Sequence, residues 1–186
     1  LIRGDNVFSG YWKMPEATAN TFTSDGFLKS GDIGSFDEAG FLTITDRKKN
    51  LIITSGGKNI APQKIENLFL SDPLFTHFIV IGEGRKFLSA LLTINPDQAA
   101  LIAHQKGIAY KDPEELLDHP EIQGVIDNHM AERNSHLARF ETIKRYQIIK
   151  KEFSQETGEL TPSLKIKRNV IQEHYAELID AMYADV

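Results

Sequence analysis

Three short segments of the chain contain residues that could act together in catalysis or binding. The first is the turn Ser30-Gly31-Asp32, the second covers residues 46–59, and the third is the basic segment 160–168, which contains Lys165. A carboxylate in a tight turn can accept hydrogen bonds from hydroxyl groups, and a lysine ammonium can stabilise developing negative charge. Taken singly, these residues are also explained as a turn aspartate and a solvated surface lysine.

The second segment combines cations with two adjacent glycines. Arg47 and Lys49 precede Gly56 and Gly57, and Asn59 follows them. Because glycine lacks a side chain, the backbone at this pair could approach a ligand closely. A plain turn between a strand and a helix explains the same pair, and a surface salt bridge explains the arginine.

The elements around these segments predict an α+β fold in two parts. Residues 1–45 contain two short alternating runs around the acidic turn 37–40, which indicates a hairpin, and too few large apolar residues for a core of their own. We place the domain boundary at Asp46. Residues 46–186 are predicted to form a compact α+β domain.

Within the second part, periodicity predicts a mixture of strands and helices. We expect strands near residues 51–54, 78–81, 87–94 and 146–149, and helices over 62–69, 96–105, 113–118 and 120–137. Asn169 is predicted to cap one last helix. The apolar face of that helix is expected to contain Ile171, Tyr175, Leu178, Ile179 and Met182.

Composition restricts the function classes. The chain has no cysteine, which excludes disulfides, thiolate zinc sites and a cysteine nucleophile and fits a cytoplasmic protein. Its six histidines show no metal-ligand spacing, so we expect no metal site. The formal net charge is −5, and residues 139–168 hold eight basic against four acidic residues, a local +4. A nucleic-acid surface there is a weak alternative, and we expect no nucleic-acid partner.

Four segments, in this order and spacing, resemble the late motifs of adenylate-forming enzymes, specifically long-chain fatty-acid–CoA ligases. Together they span most of the chain. They are Gly10-Tyr11-Trp12 with Pro15-Glu16-Ala17-Thr18; Ser30-Gly31-Asp32; residues 46–66; and Leu160-Thr161-Pro162-Ser163-Leu164-Lys165-Ile166-Lys167-Arg168. The resemblance implies a small C-terminal lid domain, with short sheets flanked by helices, preceded by a β-rich remnant of a large N-terminal domain.

The resemblance also assigns roles to individual residues. It makes Lys165 the catalytic cation, and it gives nucleotide contacts to Asp32 and Arg47, at the ribose, and to Lys49 and Asn59. It makes Asp46 the hinge about which the lid turns. Gly56 and Gly57 would line the channel for CoA, and Glu66 would be structural.

The implied activity is that of an acyl-CoA synthetase, which joins a fatty acid to CoA through an acyl-adenylate and releases AMP and pyrophosphate. ATP with Mg²⁺ and CoA would be required. The phosphate loop, the adenine-contacting segment and the acyl pocket of the family lie upstream of these motifs. The chain therefore needs the N-terminal domain of the same enzyme as its partner, and alone it is expected to be inactive. Peripheral membrane association of the intact enzyme stays open.

Two other functions remain open at this point. A ligase of the same type could pass its acyl group to the phosphopantetheine of a carrier protein instead of to free CoA. A binding or regulatory module could keep the lid fold without catalysis. The identity of the acylated thiol separates the first from a CoA ligase, and an open reading frame beginning near residue 1 would favour the second. An intact protein without CoA-ligase activity would favour either of the two.

Overall fold

The structure is a computed structural model that describes residues 1–184. The chain divides into two compact units, Leu1–Leu51 and Ile52–Val186. The boundary predicted at Asp46 stays a prediction, because a division into compact units does not show where a chain bends.

The first unit is built on the expected hairpin. It contains helix α1 (Pro15–Thr21), strands β1 (Asp32–Phe36) and β2 (Leu42–Arg47), and a 3-10 turn, Lys48–Asn50. The strands are antiparallel, and the Asp37 carboxylate accepts the backbone N–H groups of Ala39 and Phe41, which closes the turn between them. No apolar side chain of this unit is buried, as expected for a segment too poor in large apolar residues. The short helix α1 was not predicted.

The second unit contains a three-stranded sheet and a smaller strand pair. Strands β3 (Ile52–Ile53) and β4 (Asn59–Ile60) form the small pair and lead into helix α2 (Pro62–Leu70). The main sheet has the order β5 (Phe75–Ile81), β6 (Leu88–Ile94) and β7 (Ile143–Ile148). Strand β6 is antiparallel to β5 and parallel to β7, so the fold is α+β, as predicted.

Three helices cross over from β6 to β7. They are α3 (Pro96–Lys106), α4 (Pro113–Leu117) and α5 (Pro120–Ser135), and each has proline in its first turn, where no backbone N–H is needed. The Asn95 side chain caps α3, and Gly107, with φ of 68°, ends it. The predicted positions of these helices are confirmed.

The main sheet is buried on both faces. Phe78 and Leu92 belong to one apolar cluster, together with residues of α2, α3, α4 and α5, whereas Ile79 and Leu91 belong to a second cluster with residues of the last two helices. Burial on both faces explains why β5 and β6 contain almost continuous apolar runs.

The prediction for the C-terminal helix was wrong in two respects. The segment forms two helices, α6 (Arg168–His174) and α7 (Ala176–Ala181), which are separated at Tyr175. Asn169 lies inside the first turn of α6, where the cap residue is Lys167 and no side chain caps the helix. The apolar face predicted for one continuous helix is therefore wrong at Leu178, which is 40% exposed. The predicted Ile171, Ile179 and Met182 are buried.

Candidate functional site

Lys165 lies on an exposed, hydrogen-bonded hairpin. Leu160 and Ile166 form an antiparallel bridge at its base, and the Lys165 carbonyl accepts the backbone N–H of Thr161 at 2.8 Å. The Thr161 hydroxyl accepts the N–H of Lys165 at 3.0 Å. Leu164 adopts the left-handed region with φ of 58°, a conformation that costs a non-glycine residue about 1–2 kcal/mol. The backbone that carries the lysine is therefore held in one geometry, while its side chain reaches solvent.

An ion pair fixes the C-terminal end of this hairpin. Arg168 donates from Nη2 to both carboxylate oxygens of Glu66, at 2.7 and 2.9 Å, and from Nη1 to the carbonyl of Val80 at 3.0 Å. The Glu66 side chain is 5% exposed and also accepts the N–H of Val80 at 2.8 Å. Glu66 is thus structural, as expected, and it joins α2, β5 and the segment that follows Lys165.

A second buried carboxylate lies at the N-terminal end of the hairpin. Glu159 accepts hydrogen bonds from the Thr157 hydroxyl at 2.6 Å and the Ser154 N–H at 3.3 Å, and its other oxygen lies 3.2 Å from the His174 ring. Burial by itself raises the pKa of Glu159, but these hydrogen bonds and one with Tyr175 outweigh it and leave the pKa below its ordinary value. Burial and the neighbouring Glu159 charge raise the pKa of Tyr175 to about 12.

Gly56 and Gly57 form the turn between β3 and β4. The Gly57 N–H donates to the Thr54 carbonyl at 2.8 Å. The backbone N–H of Ser55 donates to the Arg85 carbonyl at 2.9 Å, and this bond connects the glycine turn to the turn between β5 and β6. Gly57 has a φ of 72°, which only glycine adopts readily, whereas Gly56 has no such requirement. A Cβ atom at either position would meet no atom within 4 Å, so both glycines border open space.

The hairpin of the first unit brings Asp32 and Arg47 together. The Arg47 Nε lies 3.0 Å from Asp32 Oδ1, and the two residues pair across β1 and β2. Continuing the register of Phe36 and Leu42 would place Asp32 opposite Asp46, but a bulge between Ile33 and Gly34 shifts the pairing to Arg47. The bulge therefore replaces a like-charge pair by an ion pair and orients a carboxylate that is only 26% exposed.

The other predicted residues are dispersed over the two units. Asp46 is buried in β2 opposite Ile33, and one of its carboxylate oxygens accepts the N–H of Arg47 at 2.6 Å. Lys49 is exposed in the 3-10 turn of the first unit, and Asn59 is exposed in β4 of the second. Their predicted roles, as hinge and nucleotide contacts, stay predictions.

Sequence reasoning missed the supporting roles of Arg168 and Glu159, although a signal for Arg168 was present. Glu66 lies on the face of α2 that also contains Ile65 and Phe69, both fully buried. A carboxylate on a buried helix face needs a cationic partner, because an unpaired buried charge is very costly. An arginine at the end of the quoted Lys165 motif was available for that role.

The second unit also has a cleft away from the predicted site residues. A cleft of about 640 Å³ runs beside β7 between α4, α5 and α7, and it contains none of the predicted site residues. Over residues 1–184, no group of three or more histidine, cysteine, aspartate or glutamate side chains could hold a metal ion. Within that same range, no helix combines the length and the apolar composition that crossing a membrane requires.

Each unit separately offers side chains that suit part of a nucleotide, whereas neither offers a magnesium site among residues 1–184. A partly exposed carboxylate oriented by an arginine can accept ribose hydroxyls, and an exposed lysine on a fixed hairpin can contact a phosphate. No cluster of carboxylates among residues 1–184 offers the oxygen ligands that Mg²⁺ prefers.

Known proteins with similar sequences are ligases. The chain is 40% identical to a long-chain-fatty-acid–CoA ligase of Mycobacterium tuberculosis over 184 residues, which cover 98% of this chain and 30% of that protein. It is 34% identical to a peroxisomal long chain acyl-CoA synthetase of Arabidopsis thaliana over 188 residues, or 27% of that protein. The chain thus spans about 30% of the length of the curated relatives it matches.

Solved structures of adenylation domains and a protein-family model also match this chain. The adenylation domain of a carboxylate reductase from Mycobacterium chelonae has a TM-score of 0.73 at 29% identity, over 98% of this chain and 27% of that one. The A-PCP didomain of a carboxylic acid reductase from Segniliparus rugosus, in complex with AMP, has a TM-score of 0.72 at 25% identity, over 98% of this chain and 24% of that one. A model of the AMP-binding enzyme C-terminal domain matches residues 49–186. The chain therefore belongs to the AMP-binding enzyme C-terminal domain family.

Proposed function

We propose that the polypeptide containing this chain is an ATP-dependent fatty-acid–CoA ligase and that this chain supplies its C-terminal lid. The observation that carries the proposal is Lys165, an exposed cation on a hairpin whose two ends are held by buried carboxylates. The relatives that match nearly the whole chain at 34–40% identity, and that are named as long-chain ligases, support the choice of substrate class.

In the first half-reaction, a fatty-acid carboxylate oxygen attacks the α-phosphorus of ATP. A new P–O bond forms, the bond to the β-phosphate breaks, and pyrophosphate leaves, which yields an acyl-adenylate. Negative charge accumulates on the α-phosphate oxygens in the transition state, and the Lys165 ammonium stabilises it. The fixed hairpin lowers the entropy cost of placing that charge.

Residues of the first unit hold the nucleotide. The Asp32 carboxylate accepts the ribose hydroxyls, and Arg47 orients that carboxylate through its 3.0 Å contact and reaches the ribose itself. Lys49 of the same unit contacts the nucleotide from an exposed position, and so does Asn59 of the second unit. Magnesium would be held mainly by the ATP phosphates rather than by residues 1–184, and it would neutralise part of their charge.

In the second half-reaction, the sulfur of CoA attacks the acyl carbonyl carbon and forms a C–S bond. The bond from that carbon to the phosphate oxygen breaks, AMP leaves with that oxygen, and the thiol proton is released to solvent. The turn at Gly56 and Gly57 approaches the pantetheine arm, because neither position has a side chain and both border open space. Asp46 serves as the hinge about which the lid turns between the two half-reactions.

A thiol acceptor on a carrier protein is the second candidate. Solved structures with TM-scores above 0.7 include carboxylate reductase adenylation domains, one of them within an A-PCP didomain. This acceptor would use the same first half-reaction and the same glycine turn. The two candidates differ only in which thiol becomes acylated.

The test uses the complete polypeptide that contains this chain, its Lys165→Ala variant and the 186-residue chain alone. Pyrophosphate release with ATP and a long-chain fatty acid reports the first half-reaction, and loss of free CoA thiol from supplied acyl-adenylate reports the second. We expect Lys165→Ala to lower the first rate about 100-fold or more and to change the second by less than threefold.

Three results would contradict parts of this proposal. Equal loss in both half-reactions would remove Lys165 from its assigned role. Adenylation without CoA consumption, combined with acylation of a carrier protein, would identify the second candidate. A complete polypeptide that releases no pyrophosphate would leave a binding module as the function, and the isolated chain is expected to be inactive in each case.

A further inference from the structure

The ion pair between Glu66 and Arg168 joins the end of the Lys165 hairpin to α2 and β5. The guanidinium uses three hydrogen bonds, two to the carboxylate and one to the Val80 carbonyl. The carboxylate side chain is 5% exposed and the guanidinium side chain 27% exposed. Both carboxylate contacts come from Nη2, and Nη1 binds the Val80 carbonyl, so the guanidinium plane is fixed by two different groups.

We propose that Glu66 and Arg168 are positioning residues for Lys165: their pair holds the hairpin so that the lysine ammonium meets the reacting phosphate. The inference rests on the proposed ligase function. Glu66 is buried against β5 and acts only through the arginine, and the Arg168 guanidinium is engaged by Glu66 and the Val80 carbonyl.

The position of Arg168 in the chain explains how the pair could act on the lysine. The backbone passes from Lys165 through Ile166, which bridges Leu160, and Lys167, whose N–H donates to the Glu159 carbonyl at 2.8 Å. Arg168 then begins α6. Loss of the guanidinium would free the end of the hairpin that lies three residues after the lysine.

The Glu66 end of this ion pair is held in place by the packing of α2. Glu66 lies in α2, which the fully buried side chains of Ile65 and Phe69 hold against the sheet. Loss of the pair should therefore loosen the hairpin more than it loosens α2 or the glycine turn before it. This asymmetry predicts that adenylation falls while thioester formation is spared.

The chain offers a matched control for this prediction. Arg133 of α5 also places a guanidinium on a buried carboxylate, with Nη2 3.2 Å from Asp72 Oδ2, in a side chain that is 22% exposed. This second pair joins α5 to the turn that follows α2 and has no contact with the Lys165 hairpin among those that the described residues make. Arg133→Met thus removes a similar contact elsewhere in the same unit.

The experiment compares Arg168→Met, Arg168→Lys and Arg133→Met in the complete polypeptide. We expect Arg168→Met to lower the rate of pyrophosphate release roughly 10-fold to 100-fold, because small misplacement of a catalytic group costs about that much. The rate of thioester formation from supplied acyl-adenylate should stay within threefold. Arg168→Lys keeps one charged hydrogen bond and should fall between the wild type and Arg168→Met.

Hydrogen exchange measured by mass spectrometry tests the same inference without any activity. Peptides that cover residues 160–166 should exchange faster in Arg168→Met and in Arg168→Lys than in the wild type. The same peptides should be unchanged in Arg133→Met. If Arg168→Met does not fold, the half-reaction rates and the hydrogen exchange are measured on Arg168→Lys instead.

The outcomes separate the inference from the function on which it rests. Faster exchange in the hairpin with a selective loss of adenylation supports it. Unchanged exchange, or equal losses of both half-reactions in the Arg168 and Arg133 variants, would overturn it. A wild type that releases no pyrophosphate would refute the proposed function, and exchange would then still decide whether the pair holds the hairpin.

Discussion

Replacing Gly56 by alanine separates a role in folding from a role in binding CoA. A Cβ atom at this position meets no atom within 4 Å, and its φ is outside the left-handed region. The structure therefore predicts no loss of stability. Reduced freedom of the unfolded chain should even add up to about 1 kcal/mol, or a rise in Tm of at most about 4 °C.

The effect on the second half-reaction should be large by comparison. If the Gly56 backbone borders the pantetheine channel, a methyl group there overpacks the channel, and overpacking typically costs about 1–3 kcal/mol. That cost corresponds to a roughly 5-fold to 150-fold slower formation of acyl-CoA from supplied acyl-adenylate. Pyrophosphate release in the absence of CoA should be unchanged.

Two other glycines serve as controls for this substitution. Gly124→Ala places the same methyl group on the exposed side of α5, where nothing lies within 4 Å, and should leave both half-reactions unchanged. Gly57→Ala forces alanine to a φ of 72°, which costs about 1–2 kcal/mol, so its activity must be interpreted with its lower Tm. A stable Gly56→Ala enzyme with full thioester turnover would refute the assignment of this turn to the channel.

Two further predictions concern the stability of the second unit. Burial raises the pKa of Asp72, but hydrogen bonds with His129, Leu74 and Arg133 outweigh it and hold the pKa below its ordinary value. Stability from this carboxylate is thus full above its unfolded pKa of about 3.9 and is lost as pH falls through the lower pKa of the folded state. Asp72→Asn should therefore flatten the fall of Tm in acid, and parallel Tm curves for the two proteins would contradict this. Phe78 is fully buried, and the centre of its ring lies 4.0 Å from that of the stacked Phe69 ring. Phe78→Ala should therefore lower the free energy of unfolding, measured by urea titration, by about 3–5 kcal/mol. A loss below about 1 kcal/mol would show that the stack is not part of the core.

Local sequence patterns were sufficient for most of the secondary structure. Prolines at the first turns of four helices and apolar runs in β5 and β6 depend only on neighbours along the chain. The separation of α6 from α7 at Tyr175 could not be predicted from such local patterns. Its hydrogen bond with Glu159 joins residues of two different segments, and the pattern of apolar residues on both sides is compatible with a single helix.

The candidate site depended on contacts that sequence reasoning could not supply. Arg168 and Glu66 are 102 residues apart, so their pairing follows from the packing of α2 and α6 on the sheet. The contact between Asp32 and Arg47 depends on a bulge, because the regular register of the hairpin would pair Asp32 with Asp46. The sequence predicted the types of residue that were needed, whereas the geometry that joins them is tertiary.

The Lys165 hairpin and the glycine turn of the second unit are attached to the same short stretch of chain. Arg168 binds the carbonyl of Val80, and the N–H of Ser55 binds the carbonyl of Arg85, while Gly84 donates to Ile53. Residues 80–85 thus hold both the Lys165 hairpin and the glycine turn. In the proposed ligase, neither segment can then be repositioned alone without breaking these hydrogen bonds. An enzyme that uses the lysine for adenylation and the glycine turn for thioester formation must move the whole unit between the two steps. A substitution that slows this movement should therefore lower overall turnover without changing the rate of either half-reaction measured alone.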